Sequence, residues 1–168
     1  IANYALTFWD TLTPFNNEEE TRLLLKIQSR ANERITATAT ALRNGLIALA
    51  DQTFPGVNIA FDPNTKNANG HEKWVDFFLR YWHKDCVCQY SMEAFTESYR
   101  SWCKRKNYKF RTDTAHKIYL LAQEGVATLP KCESTKMLIT QACKSLNAVC
   151  EAKQSTQLEM QRLAALLP

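Results

Sequence analysis

Along residues 18–53, apolar and small side chains return every three or four positions: Leu24, Ile27, Ala31, Ile35, Thr38, Leu42, Leu46, Leu49 and Thr53. This spacing predicts one uninterrupted helix. The set repeats every eleven positions (Leu24, Ile35, Leu46; Ile27, Thr38, Leu49), which favours a straight rod over a left-handed supercoil. At about 1.5 Å per residue the rod is roughly 54 Å long, more than a compact core can cover, so it needs a partner of similar length. A second series, Leu138, Ala142, Ser145, Val149, Ala152, Thr156, Met160, Leu163 and Leu167, lies on a helix predicted from a Ser134 or Thr135 cap to about Leu167. Both stripes carry small residues that permit close approach. The economical fold is all-α: two long antiparallel, coiled-coil-like helices with a small helical subdomain inserted between them. Its divisions are residues 1–57, 58–131 and 132–168. Pairing of the rods between two chains is the alternative.

The remaining elements follow from breakers and caps. Residues 1–10, with Tyr4, Leu6, Phe8 and Trp9, read as the end of a helix that Pro14 and Asn16-Asn17 break. Asn17 is the predicted cap of the first rod, and Glu18, Glu19 and Glu20 suit the positive end of its dipole. Gly45 is the weak point of that rod unless a close neighbour needs the space. Phe54-Pro55-Gly56 ends it, and a flexible polar loop runs through Asp62-Pro63-Asn64 to Gly70. Three shorter helices are predicted at 71–84, 91–106 and 112–125, with Gly125 as a C-cap and Leu129-Pro130 as a stop. Trp74, Phe77, Phe78, Tyr81 and Trp82 share one broad face and are read as subdomain core, joined by Phe95, Tyr99 and Trp102 and by Ile118, Leu121 and Ala122.

Charge changes the picture through its location. Of the net +4, residues 71–111 hold nine Lys/Arg against five Asp/Glu, and 102–117 hold six bases against Asp113 alone. Two sets suit a polyanion. Arg22, Lys26, Arg30 and Arg34, four positions apart, form a ridge opposite the apolar stripe. In the stretch 102–111, Lys104, Arg105, Lys106, Lys109 and Arg111 interleave with Trp102, Tyr108 and Phe110, a recipe for phosphate contacts plus stacking.

His83, Cys86, Cys88 and Cys103 are four possible zinc ligands, but the Cys-x-Cys spacing is unusual and half-buried thiols are the preferred reading; no metal site is assigned. Cys143 and Cys150 share a flank of the last helix, off its stripe, and receive no role, while His116 is read as structural. No Gly-rich phosphate loop, His-Glu-x-x-His motif or nucleophile elbow occurs, so no catalytic residue is named. The sequence has no apolar run of about 18 residues and no signal-peptide pattern, from which a cytoplasmic protein with reduced cysteines and no membrane contact is expected.

The order of Ile1-Ala2-Asn3-Tyr4, Trp9, the basic-ridged helix ending at Pro55-Gly56, the Phe77 to Trp82 segment, Tyr119-x-Leu-Ala-Gln-Glu-Gly-Val-Ala-Thr-Leu-Pro130, Ser134-Thr-Lys-Met-Leu-Ile139 and the closing run from Met160 to Pro168 resembles one family. It is the insertion-sequence transposases of the one-ten family, the RNA-guided bridge recombinases, and the resemblance covers essentially the whole chain. It implies a central, non-catalytic helical linker region lying between a RuvC-like DEDD domain and a serine transposase domain. An excised piece of a longer bacterial protein is therefore expected, which suits Ile1 and the stop at Pro168. The implied roles are spacing, self-association as a dimer, and contact with DNA and structured guide RNA. No cofactor is expected in this segment, magnesium belonging to the RuvC-like domain of the parent. The long insertion at 58–131 departs from shorter family members. The competing reading is a purely structural coiled-coil dimerisation spacer with no direct nucleic-acid contact.

Overall fold

The computed structural model of the protein describes residues 17–167; the readings placed on 1–16, and those resting on the side chains of 17–19, lie outside the described part. The described chain is all-helical. Its elements are α1 (Asn17–Thr53), a 3-10 turn (Val57–Ala60), α2 (Lys73–Arg80), α3 (Asp85–Cys88), α4 (Met92–Arg105), α5 (Thr112–Glu124) and α6 (Glu133–Ala164). The first short helix, expected at 71–84, is shorter, Lys73–Arg80, and Asp85–Cys88 forms a separate short helix after it. At Tyr81 the backbone leaves the helical region, which frees the Lys84 N–H for the Thr53 carbonyl at 3.0 Å and lets Trp82 and His83 both turn inward. Among the described residues no helix is long and apolar enough to cross a membrane.

The two long helices pack on each other within the chain. Leu25 and Asn32, toward the start of α1, line a groove with Met160 and Ala164 at the end of α6. Of the expected α1 stripe, Ala31, Ile35, Leu42, Leu46, Leu49 and Thr53 are shielded, and of the expected α6 stripe Ala142, Ser145, Val149, Thr156, Met160, Leu163 and Leu167. Leu25, Gln28, Asn32 and Ala39 of α1 and Thr135, Ile139 and Leu146 of α6 are shielded as well. Leu24 and Ile27, members of the expected stripe, are 43% and 53% exposed, and Thr38, Leu138 and Ala152 are also exposed. The physical reason is position around the helix: Leu25 and Asn32 face Met160 and Ala164 of α6, so Leu24 and Ile27 point off that contact. The Asn32 side-chain oxygen is buried without a partner.

Residues 57–131 build an aromatic core beside this pair. The Phe77 ring is its centre, stacked on Tyr81 at 4.7 Å and meeting Phe61, Tyr99 and Trp102 at 5.2, 5.8 and 5.7 Å between centroids. Edge-on and offset contacts of this kind add about 0.5–1.5 kcal/mol each beyond burial. The end of α1 is closed by this region: the Gln52 carbonyl accepts from the N–H groups of Thr128 and Leu129 at 2.9 and 3.0 Å. Carbonyls that a helix terminus leaves unpaired are thus satisfied by the loop after α5. Gly125 does follow α5, but with an extended backbone; glycine is needed because a Cβ would stand 2.7 Å from the Leu121 carbonyl oxygen.

The loop expected to be flexible is instead pinned to both long helices. Glu72 accepts from Arg43 Nε of α1 at 3.0 and 3.1 Å and from Trp74 Nε1 at 2.6 Å. His71 Nε2 meets Glu151 of α6 at 2.8 Å, and Gln154 Nε2 donates to the Ala68 carbonyl at 2.7 Å. Inside this seam Asp76 is buried. Its carboxylate accepts from Tyr108 Oη (2.9 Å), Asn147 Nδ2 (3.1 Å) and Asn67 Nδ2 (3.3 Å), with His71 Nδ1 at 3.7 Å. Buried carboxylates need such donors, because an unpaired one carries a desolvation penalty of several kcal/mol.

Two expected outcomes follow from these contacts. Gly45 has nothing within 4 Å of where a Cβ would sit, so Gly45→Ala should raise unfolding stability by about 0.5–1 kcal/mol in a urea titration. Burial, with the Asp76 charge as a smaller cause, pushes the Cys143 thiol from 9.0 up to about 12. Above pH 9 the unfolded chain loses this proton while the folded chain keeps it, so stability is full below that pH and falls as pH rises toward 12. The loss should reach about 2 kcal/mol by pH 10.5, and Cys143→Ala should lose correspondingly less between pH 8 and 10.5 than the unsubstituted chain.

Candidate nucleic-acid interface

The basic stretch after α4 owes its shape to a backbone motif. Asn107 sits in the left-handed region at φ 56°, the Asn107 N–H bonds the Lys104 carbonyl and the Tyr108 N–H bonds the Cys103 carbonyl. This is the Schellman ending, and it folds the residue after the turn back on the helix. Tyr108 accordingly stacks on Trp102 at 5.5 Å and reaches Asp76. Burial, followed by the negative charge of Asp76, pushes the Tyr108 phenol well above its usual range.

That geometry corrects the stacking expectation. Trp102 and Tyr108 are only 2% and 7% exposed. Phe110 is half-buried, lies 5.8 Å from Tyr99 and is covered by the Arg100 guanidinium at 4.9 Å. The interleaved aromatics belong to the core, and the turn sends only the cations outward. Lys104, Arg105, Lys106, Lys109 and Arg111 are all exposed, and none is ion-paired with a described side chain. Lys104 and Arg105 also occupy the last turn of α4, where cations meet the negative end of the helix dipole.

The structure adds a cation that the sequence did not single out. Arg80, at the end of α2, lies over the Tyr81 ring at 5.4 Å and shares a surface groove with Ser98, Ser101, Lys104, Arg105 and one acid, Glu97, which lies 3.5 Å from Arg100. An adjoining cleft of about 560 Å³ is lined by Arg80, Leu79, Arg105 and Lys106, with Asp76 and Trp102 at its floor. Arg80 and Arg105 line both, so they are two parts of one cationic trough. Only the tertiary approach of α2 to α4 brings them together; the signal in sequence was no more than one arginine ending an aromatic helix.

The ladder Arg22, Lys26, Arg30 and Arg34 is exposed along the first half of α1, on the side away from the seam with α6. It belongs to the part of the long pair near Met160 and Ala164, whereas the stretch 104–111 is tied through Tyr108 and Asp76 to Asn147. The two basic sets therefore occupy different parts of the molecule.

The four thiol and imidazole candidates go separate ways. His83 bonds the Leu129 carbonyl at 3.2 Å and accepts from the Asp85 N–H, Cys88 Sγ donates to the Ala122 carbonyl, and Cys103 is buried beside Lys73 and Tyr99. Among the described residues no group of three or more His, Cys, Asp or Glu side chains is arranged to hold a metal ion. All six cysteines are free thiols. Cys143 and Cys150 lie on the flank of α6 that also carries Asn147 and Gln154, the face turned to residues 57–131. His116 is exposed on α5. Comparison of the chain with protein-family models, with curated proteins and with solved structures finds no match.

Proposed function

We propose that this chain is a non-catalytic helical linker that binds the phosphate backbone of nucleic acid, DNA or structured RNA, through the trough of Arg80, Lys104, Arg105 and Lys106 and the neighbouring Lys109 and Arg111. The observation that carries the proposal is this set of exposed cations, unpaired with described side chains, around a groove whose aromatic floor is sealed. Phosphate contacts fix position and add salt-dependent affinity without reading bases. With Trp102 and Tyr108 buried, the binding is to backbone and not to stacked bases. Arg22, Lys26, Arg30 and Arg34 are a second, separate contact line along the same polyanion.

In this reading the two long helices, Asn17–Thr53 and Glu133–Ala164, are an antiparallel coiled-coil-like hairpin that carries residues 58–131 as an inserted subdomain. The hairpin sets distance, and the subdomain presents charge. This arrangement suits the central region of a one-ten-family transposase in the bacterial cytoplasm, self-associating during DNA transposition with both catalytic halves elsewhere in the parent. The exposed Leu24 and Ile27 supply an apolar face for a second copy, the feature that also supports the spacer-only reading.

Reversal of Lys104, Arg105 and Lys106 to Glu tests the trough. Binding to a structured RNA or duplex DNA should weaken, and the slope of log K against log salt should fall by about 0.7–0.9 for each lost contact. Unchanged affinity and slope, or no shift of RNA by the unsubstituted chain at physiological salt, would leave the spacer reading in its place.

A further inference from the structure

Behind the exposed cations lies a smaller, more enclosed site. Lys73 opens α2, yet its side chain runs inward and the residue is only 6% exposed. Its ammonium donates to the Lys109 carbonyl at 2.7 Å and is surrounded by the rings of Phe61, Tyr99 and Tyr108 at 6.0, 5.3 and 5.6 Å. It has no carboxylate partner among the described residues. Buried ammonium groups are ordinarily paired, because desolvation of an isolated charge is expensive. Aromatic faces, one carbonyl and the neighbouring Cys103 thiol compensate only in part, and burial pulls the Lys73 ammonium below its usual range.

The same lysine lines a cavity of about 70 Å³ together with Thr65, Lys109, Arg111, Thr114, Phe61 and Asp62. That is several times the room one water requires. Three of the lining residues are cationic and two bring hydroxyls. The start of α5, where Arg111 is the cap residue and Thr114 sits in the first turn, has no side-chain cap for its N–H groups. Asp62 is the one acid on the wall, and its Oδ1 is engaged by the Asn64 N–H at 2.9 Å. A buried cation with no carboxylate partner among the described residues, two exposed cations, two hydroxyls and an uncapped helix start converge on a space of single-group size.

We propose that this cavity is a receptor for one phosphate group, with Lys73 as the buried counter-charge and Arg111, Lys109, Thr65 and Thr114 as the outer donors. The phosphate is either free or carried on a nucleic acid; in the second case the proposal deepens the backbone-binding reading and rests on it. Lys73, absent from both basic sets legible in the sequence, is then the residue on which the site turns.

Thermal unfolding of the full chain in sodium phosphate against sodium chloride at matched ionic strength tests the site without nucleic acid. The unsubstituted chain should show a saturable, phosphate-specific rise in Tm. Lys73→Met, of similar length and free of charge, should melt at the same or a higher temperature in chloride and gain nothing from phosphate. Thr114→Val, at a half-buried position, should shift half-saturation at least threefold upward. A short 5′-phosphorylated oligonucleotide that itself raises Tm with half-saturation at a lower concentration than inorganic phosphate assigns the group to nucleic acid; one that needs as much or more assigns free phosphate. A response no larger than that to chloride, or one equal in Lys73→Met and the unsubstituted chain, overturns the proposal. Reversal of Lys104, Arg105 and Lys106 leaves these residues intact, so failure of the trough and failure of the cavity are read separately.

Discussion

The carboxylate of Asp76 is the contact on which the arrangement depends. One buried acid receives donors from three places distant in sequence: Asn67 in the loop, Tyr108 after the basic turn and Asn147 on α6. Because every partner loses its bond if the carboxylate is displaced, the loop, the basic stretch and the long helix hold one relative position. The consequence for function is indirect but definite. Tyr108 is the only residue of the stretch 104–111 held by a side-chain bond to Asp76; it anchors the turn that follows the exposed Lys104, Arg105 and Lys106 and leads into Lys109, whose carbonyl accepts from Lys73. The carboxylate side of this network is satisfied by its donors, while the Asn147 side-chain oxygen has no partner among the described residues.

The long pair differs along its length. In the half toward the start of α1, Gln28 and Asn32 are shielded while Leu24 and Ile27 are exposed. The half beside residues 57–131 is reinforced by Arg43 with Glu72 and by Gln52 with the loop after α5.

Much of the helical order was legible because local signals decide it. Ser91 caps α4 through the Ala94 N–H as its type suggests, Phe54-Pro55-Gly56 stops α1, and the aromatic face of residues 74–82 is core. Which face of the first half of α1 is shielded was not legible, because steps of three and four fit neighbouring faces of a polar-spotted helix and the partner decides between them: Leu25 and Asn32 meet the groove with Met160 while Leu24 and Ile27 stay exposed. The fate of Tyr108 and Trp102 turned on a left-handed Asn107, a backbone state that sequence proposes weakly. Of the candidate residues, the exposed cations were visible as a charge run. Arg80 and Lys73 were not, because their importance comes from the neighbours that α4, α5 and the loop bring to them.

The central claim is that the Asp76 carboxylate couples the basic stretch to the rest of the fold, and a double-mutant cycle on Asp76→Asn and Tyr108→Phe measures that coupling. Urea unfolding of the two single variants, the double variant and the unsubstituted chain supplies the four free energies. If the bond is formed and buried as described, the double variant should lose less than the sum of the singles, with an interaction energy of about 1–3 kcal/mol. Losses that add to within about 0.5 kcal/mol would mean that Asp76 and Tyr108 act independently, and the account of how the cationic surface is held would be wrong.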